Sequence, residues 1–169
     1  METSTEKIIA KLKGLGCPVE ILEHYPVITI DDVVRILNIP VERMAKTVLL
    51  DQKEIGLIAA VLPGMSKVDC TKVANILNVP KSSVQIANRV TMKDLGINPG
   101  DVCPFHDFLQ KVIVDTDLLK QERVYCGSGD PRKTIVIDPK EMLKAIGATV
   151  ADISQTTSVN NQTEGGSDE

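Results

Sequence analysis

Four short segments of this chain combine residue types that could carry chemistry. The first is Leu95-Gly96-Ile97-Asn98-Pro99-Gly100-Asp101-Val102-Cys103-Pro104-Phe105. Its prolines and glycines impose a tightly bent backbone, and Pro99-Gly100 suits the central pair of a type II turn, whose second residue needs a positive φ. Such a turn can aim successive backbone N–H groups, from Gly100 through Cys103, at one point, as acyl-transfer sites do for a developing oxyanion. A surface turn leading into a strand accounts for the same residues with no chemistry at all. The second segment is Lys46, near the start of the apolar run Met44-Ala45-Lys46-Thr47-Val48-Leu49-Leu50. An ammonium is a compact charge suited to one phosphate or to ribose oxygens. A lysine at a strand end also simply reaches out into water.

The third segment is Cys103-Pro104-Phe105-His106, where a thiolate and an imidazole could form a nucleophilic pair. Three residues apart around a proline they need not face each other, and Asp107 is the one carboxylate near enough to orient the ring; a small apolar Cys and a surface His account for them as well. The fourth is Gly127-Ser128-Gly129-Asp130-Pro131, which lacks the Gly-Lys-Ser/Thr ending of a phosphate-binding P-loop. It reads as a turn between strands that walls a cleft.

The elements that must position these segments follow from pattern and punctuation. Residues 5–15 form an amphipathic helix with Ile8, Ile9, Leu12 and Leu15 on one face. A strand is expected over 19–22, and a helix over 32–37 with Thr29 or Asp31 as its cap. Two apolar runs, 46–50 and 55–62, around the polar Asp51-Gln52-Lys53-Glu54 predict a hairpin. Asp69 caps a helix over 71–77, a strand covers 84–87, and Thr91 caps a short helix ending at Gly96. Strands over 112–115, 123–126 and 134–137 follow, with a helical turn capped by Asp117 between the first two. Pro139 opens a last helix running to Ile146. The chain also echoes itself: Ile36-Leu37-Asn38-Ile39-Pro40 recurs as Ile76-Leu77-Asn78-Val79-Pro80. Two copies are too few for a solenoid, so the echo is a shared stop signal, an Asn suited to the left-handed region and then a Pro. Short strands mixed irregularly with short helices give an α+β domain.

Composition narrows the function classes. Of 169 residues 43% are hydrophobic, enough for a packed core, but only 2% are aromatic, which argues against base-stacking platforms for single strands. The net charge is −4, and three of the acids, Glu164, Asp168 and Glu169, lie in a tail from Gln155 that has no Lys or Arg. The near-neutral body cannot grip a long duplex, because each phosphate contact needs its own cation. Any RNA contact is therefore local, and DNA is not an expected partner. Cys17, Cys70, Cys103 and Cys126 form no C-x-x-C pair and the two His stand at no metal-ligand spacing, so no metal is expected. Scattered cysteines with no signal peptide predict reduced thiols in a cytoplasmic protein. No apolar run reaches the ~20 residues a membrane span needs. Residues 155–169, rich in Gln, Thr, Ser, Asn and Gly, are expected to be a disordered acidic tail.

In order, the chain shows Ala45-Lys46-Thr47 opening a strand, then Ala60-Val61-Leu62-Pro63-Gly64. Next come Gly96-x-x-Pro99-Gly100-x-x-x-Pro104-Phe105, a Gly-x-Gly turn, and Ile135-Val136-Ile137-Asp138-Pro139 before a helix. This resembles the YbaK family and the editing domain inserted in bacterial prolyl-tRNA synthetases, over roughly residues 24–154. The resemblance implies one YbaK-like editing domain over 1–154: a mixed, mostly antiparallel β-barrel-like sheet wrapped by short helices. It implies hydrolysis, in trans, of the ester joining a wrong amino acid to tRNA, commonly the tRNA for proline. Lys46 would contact the terminal nucleotide. Gly100, Asp101, Val102, Cys103 and Pro104 would hold the aminoacyl carbonyl and ribose through backbone N–H groups, with Thr47, Gly96, Pro99, Gly127, Ser128 and Gly129 around the substrate. No protein nucleophile, metal or cofactor is implied, since a ribose hydroxyl of the substrate helps to activate water. Expected partners are the acceptor end of an aminoacyl-tRNA and an aminoacyl-tRNA synthetase. Asp101 stands where the family pattern commonly has a small neutral residue, and its charge motivates an alternative: a non-catalytic module that binds aminoacyl-tRNA or a synthetase. The amino acid removed is left open.

Overall fold

The structure is a computed structural model, in which residues 4–98 and 101–156 are described. Five α-helices, three 3-10 turns and eight strands alternate irregularly along them. The first helix, α1 (Ser4–Gly14), buries Thr5, Ile8 and Leu12, the spacing of one helical stripe. Leu15, expected on that face, lies past the helix end and is 55% exposed. Strand β1 (Val19–Glu23) leads to α2 (Ile30–Leu37), which opens with a capping box: the Thr29 hydroxyl accepts from the Asp32 N–H and the Asp32 carboxylate accepts from the Thr29 N–H. The hairpin is β2 (Met44–Gln52) and β3 (Gly56–Pro63), with Ala45 opposite Pro63 and Gln52 opposite Gly56. Its turn is later than predicted. Asp51 and Gln52 stay in the ladder, and the buried Gln52 amide oxygen accepts the Glu54 and Ile55 N–H groups.

Helix α3 (Cys70–Leu77) is capped by Asp69 as expected, and β4 (Val84–Ile86) follows. Helix α4 (Arg89–Asp94) corrects the expectation about its start: the cap is Asn88, whose side chain accepts from the Thr91 N–H, so Thr91 is the third helical residue. The same correction applies after β5 (Lys111–Asp115), where Asp115 and not Asp117 caps the 3-10 turn by accepting the Asp117 N–H. In both places the cap lies two or three residues before the residue it bonds. Strands β6 (Val124–Gly127) and β7 (Lys133–Ile137) precede α5 (Pro139–Ile146), with Asp138 as its cap and Pro139 at its first turn. A final strand, β8 (Thr149–Ala151), has no counterpart in the sequence reading.

The strands form one mixed sheet in the order β1-β7-β6-β2-β3-β5-β8, with β4 also pairing β2. Four pairings are antiparallel and three, β2 with β6, β3 with β5 and β5 with β8, are parallel. Side-chain alternation divides the core in two. From β3, Ala59 and Val61 enter one cluster with Ile8 and Leu12 of α1 and Met142 of α5. Ile58, Ala60 and Leu62 enter the other, with Val73 and Ala74 of α3. This is the α+β fold with a mostly antiparallel, helix-wrapped sheet that the sequence implied. Near its end Gln155 is tied down, its N–H bonding the Lys67 carbonyl and its amide the Val68 carbonyl. Residues 157–169 of the expected tail lie outside the described residues.

Candidate active site

Strand β2 is the backbone of the site. Its first residues pair in parallel with β6, Met44 with Tyr125 and Ala45 with Cys126, while Lys46 sits opposite Leu62 of β3. That register sets the start of β2 beside the turn between β6 and β7. Together they line a cleft of about 220 Å³, several times the ~30 Å³ share of one liquid water, so it has room for an aminoacyl group. Lys46, Thr47, Asp101, Val102, Gly127, Ser128 and Gly129, all expected at the site, line this one cleft.

The Lys46 ammonium is half-buried, which pushes its pKa below the ordinary lysine value, and the neighbouring Lys67 charge lowers it further. No carboxylate among the described residues pairs with Lys46. A desolvated, unpaired cation with a second cation nearby is suited to an anion. Next to it the Thr47 hydroxyl oxygen is buried and has no hydrogen-bond partner among the described residues; a buried group of this kind is either a cost or a ligand contact.

The segment after Gly100 supplies backbone donors, though fewer than expected. The Asp101 N–H closes a turn onto the Asn98 carbonyl at 3.0 Å, so it is spent within the loop. The N–H groups of Val102 and Cys103 have no partner among the described residues. The Asp101 carboxyl is raised by burial and by the charge of Asp130 across the cleft, against a lowering hydrogen bond from Asn98. The loop is braced from behind by His106, whose ring bonds the Asp101 backbone; burial holds its pKa below the ordinary imidazole value. The β6–β7 turn approaches so closely that a Cβ on Gly127 would sit 3.4 Å from the Val102 carbonyl oxygen. Ser128 is not a nucleophile. Its hydroxyl is 2.7 Å from the Lys133 carbonyl and also accepts from the Asp130 N–H, so it holds the turn, while its own carbonyl takes the Thr5 hydroxyl.

Other expected residues go elsewhere. The Cys103 and Cys126 side chains are fully buried in the core, and Pro104 is buried beside them. Burial pushes the Cys103 thiol up to about 12, only partly offset by a hydrogen bond from the Phe105 backbone. A thiol so protonated cannot serve as a nucleophile with His106, which instead stacks on Phe108. Gly96, with φ +71°, faces a separate hollow shared with Arg89, Met92 and Asn98. Pro99 and Gly100 lie outside the described residues.

The sequence reading missed one whole wall: Val27, Ile28, Thr29, Ile30 and Val33, at the start of α2, together with Lys133 and Thr134. Behind Thr134 stands His24, its Nε2 2.8 Å from the Thr134 hydroxyl. The available signal was a polar Thr heading the apolar run Ile135-Val136-Ile137, five residues after the Gly-x-Gly turn.

A family model described as the aminoacyl-tRNA editing domain matches residues 24–145. Among solved structures, a hypothetical protein is 26% identical, with a TM-score of 0.81 over 89% of this chain and 100% of its own. A candidate trans-editing enzyme for prolyl-tRNA synthetase is 22% identical, with a TM-score of 0.79 over 92% of this chain and 99% of its own. A scaffold protein from computational epitope grafting, also 22% identical, has a TM-score of 0.78 over 93% of this chain and 100% of its own. No curated protein matches in sequence.

Proposed function

This chain belongs to the aminoacyl-tRNA editing domain family, of the YbaK kind, and from that premise we propose that it is a free-standing deacylase that hydrolyses mischarged aminoacyl-tRNA. The observation that carries the proposal is the meeting of an unpaired Lys46 and the free Val102 N–H group at one cleft. Lys46 takes the phosphate of the terminal nucleotide, and the buried Thr47 hydroxyl takes a ribose oxygen. Water adds to the ester carbonyl, whose oxygen gathers charge towards the Val102 N–H group. The carbon–oxygen ester bond then breaks, the ribose oxygen keeps the proton delivered through its neighbouring hydroxyl, and the free amino acid leaves. An aminoacyl ester is already activated, so positioning and oxyanion stabilisation are sufficient to accelerate it.

A separate hydrolytic site has a physical purpose, because one methylene distinguishes amino acids by only ~1–3 kcal/mol at a synthetase pocket. The tRNA for proline is the proposed carrier, in keeping with the candidate trans-editing structure of the same fold. The proposed unit is a single domain over 1–154, acting in the cytoplasm with a synthetase as its second partner. No helix among the described residues is long and apolar enough to cross a membrane.

The test is deacylation of proline-, alanine-, cysteine- and serine-charged tRNA side by side. Turnover of at least one is expected, with loss in Lys46→Ala and none in Cys103→Ala. Stable tRNA binding with no turnover of any would replace the deacylase with the binding-module reading, for which the Asp101 charge in the cleft is the supporting observation.

A further inference from the structure

The His24 ring is held at both nitrogens. Nδ1 lies 2.7 Å from the Tyr25 carbonyl oxygen and Nε2 lies 2.8 Å from the Thr134 hydroxyl. A carbonyl only accepts, so Nδ1 carries the ring proton, and in the neutral ring Nε2 is a lone pair. The Thr134 hydroxyl must then donate to Nε2. Having a single proton, it presents only lone pairs to the cleft that it lines. Thr134 cannot readily turn away: it is 4% exposed and paired in β7 between Leu22 of β1 and Gly127 of β6. His24 is outside the cleft lining, behind Thr134.

We propose that His24 is a positioning residue that makes the Thr134 hydroxyl a fixed hydrogen-bond acceptor, and that this acceptor, beside the Asp101 and Asp130 carboxylates, reads the free α-ammonium of the aminoacyl group. Lys46, with Lys67 near it, faces the nucleotide phosphate, whereas Thr134, Asp101 and Asp130 set three acceptors in the same cleft, which Lys133 also lines. Asp101 directly precedes Val102, so its carboxylate stands next to the oxyanion donor. In the substrate the ammonium likewise stands one carbon from the ester carbonyl. Acylation of the α-amine removes its charge and two of its protons, and so takes from these acceptors the ammonium that they would share.

The inference rests on the deacylase reading, and one experiment separates the two. The charged tRNA that the enzyme hydrolyses best is compared with the same tRNA acetylated at its α-amine. A preference for the free amine of about 10- to 100-fold in kcat/KM is expected, the worth of a hydrogen bond to a charged group. Equal hydrolysis of both overturns the inference and leaves the deacylase standing; hydrolysis of neither sinks both. Thr134→Val is expected to lose most of the preference, mainly through KM, and Thr134→Ser to keep it. His24→Ala should reduce the preference while Thr134 is present and have no further effect in the Thr134→Val background. An additive loss in the double variant, with thermal melting showing all variants folded, would mean that His24 acts on something other than Thr134.

Discussion

Two segments of the molecule are built on one local plan and put to different use. In the first, α2 ends at Asn38 with φ 52°, Pro40 caps a 3-10 turn over Val41–Arg43, and β2 begins at Met44. In the second, α3 ends at Asn78 with φ 57°, Pro80 caps a 3-10 turn over Lys81–Ser83, and β4 begins at Val84. The two strands even pair with each other, Leu50 opposite Ile86. Six residues after each proline the plan diverges: Lys46 in the first, Ile86 in the second. Strand β2 is flanked by β3, β4 and β6 and its start opens onto the cleft, whereas β4 is a three-residue edge whose Ile86 is 60% exposed. The shared plan therefore sets where a helix stops and a strand starts. Which copy becomes a site depends on its neighbours across the sheet.

The largest effect that would sharpen this contrast is in stability. Leu50 is fully buried while its cross-strand neighbour Ile86 is exposed. Leu50→Ala should therefore cost about 2–5 kcal/mol and Ile86→Ala less than about 0.5 kcal/mol, read by urea denaturation. Comparable losses would mean that β4 is as integral as β2. Next comes activity. Lys46→Ala should lower kcat/KM about 10- to 100-fold, since a charged contact is worth about 1.5–3 kcal/mol. Ile86→Ala should leave it within error, and an unaffected Lys46→Ala enzyme would remove β2 from the site.

A smaller effect tests the shared plan itself. Asn38→Ala and Asn78→Ala each remove the short polar side chain that lets Asn occupy the left-handed region and should each cost about 1 kcal/mol, with the glycine variants near neutral. Unequal losses would show that the two stops are not equivalent. The smallest is a pH effect confined to the first copy. Burial lowers the Lys46 pKa, so its cation is lost at a lower pH than the ~10.4 of a free lysine. Substrate affinity should fall correspondingly early as pH rises, and Lys46→Arg should move that alkaline limb upward. A limb that stays put in Lys46→Arg would assign it to another group.

Much of this was legible because it is local. Thr29, read as a cap beside Asp31, and Asp69 cap helices through hydrogen bonds reaching two or three residues, and Pro139 opens the last helix as read from the chain, whereas the Asp32 half of the capping box and the Asp138 cap were not named there. The misassigned caps, Thr91 for Asn88 and Asp117 for Asp115, err by that same short reach. Strand β8 is three residues long and exists through parallel pairing with β5, which no local pattern announces.

The residues themselves determined the element boundaries, the α+β class and two motifs, Lys46-Thr47 and the Gly/Pro loop. These follow from backbone sterics and side-chain patterns acting over a few positions. Only the tertiary structure decided that Cys103 points into the core while Val102 faces the cleft, that Gly96 faces a separate hollow, and that His24 meets Thr134. Those outcomes depend on sheet register and on which side chains close packing excludes from water. They join residues as far apart as 24 and 134, a distance over which sequence pattern carries no direction.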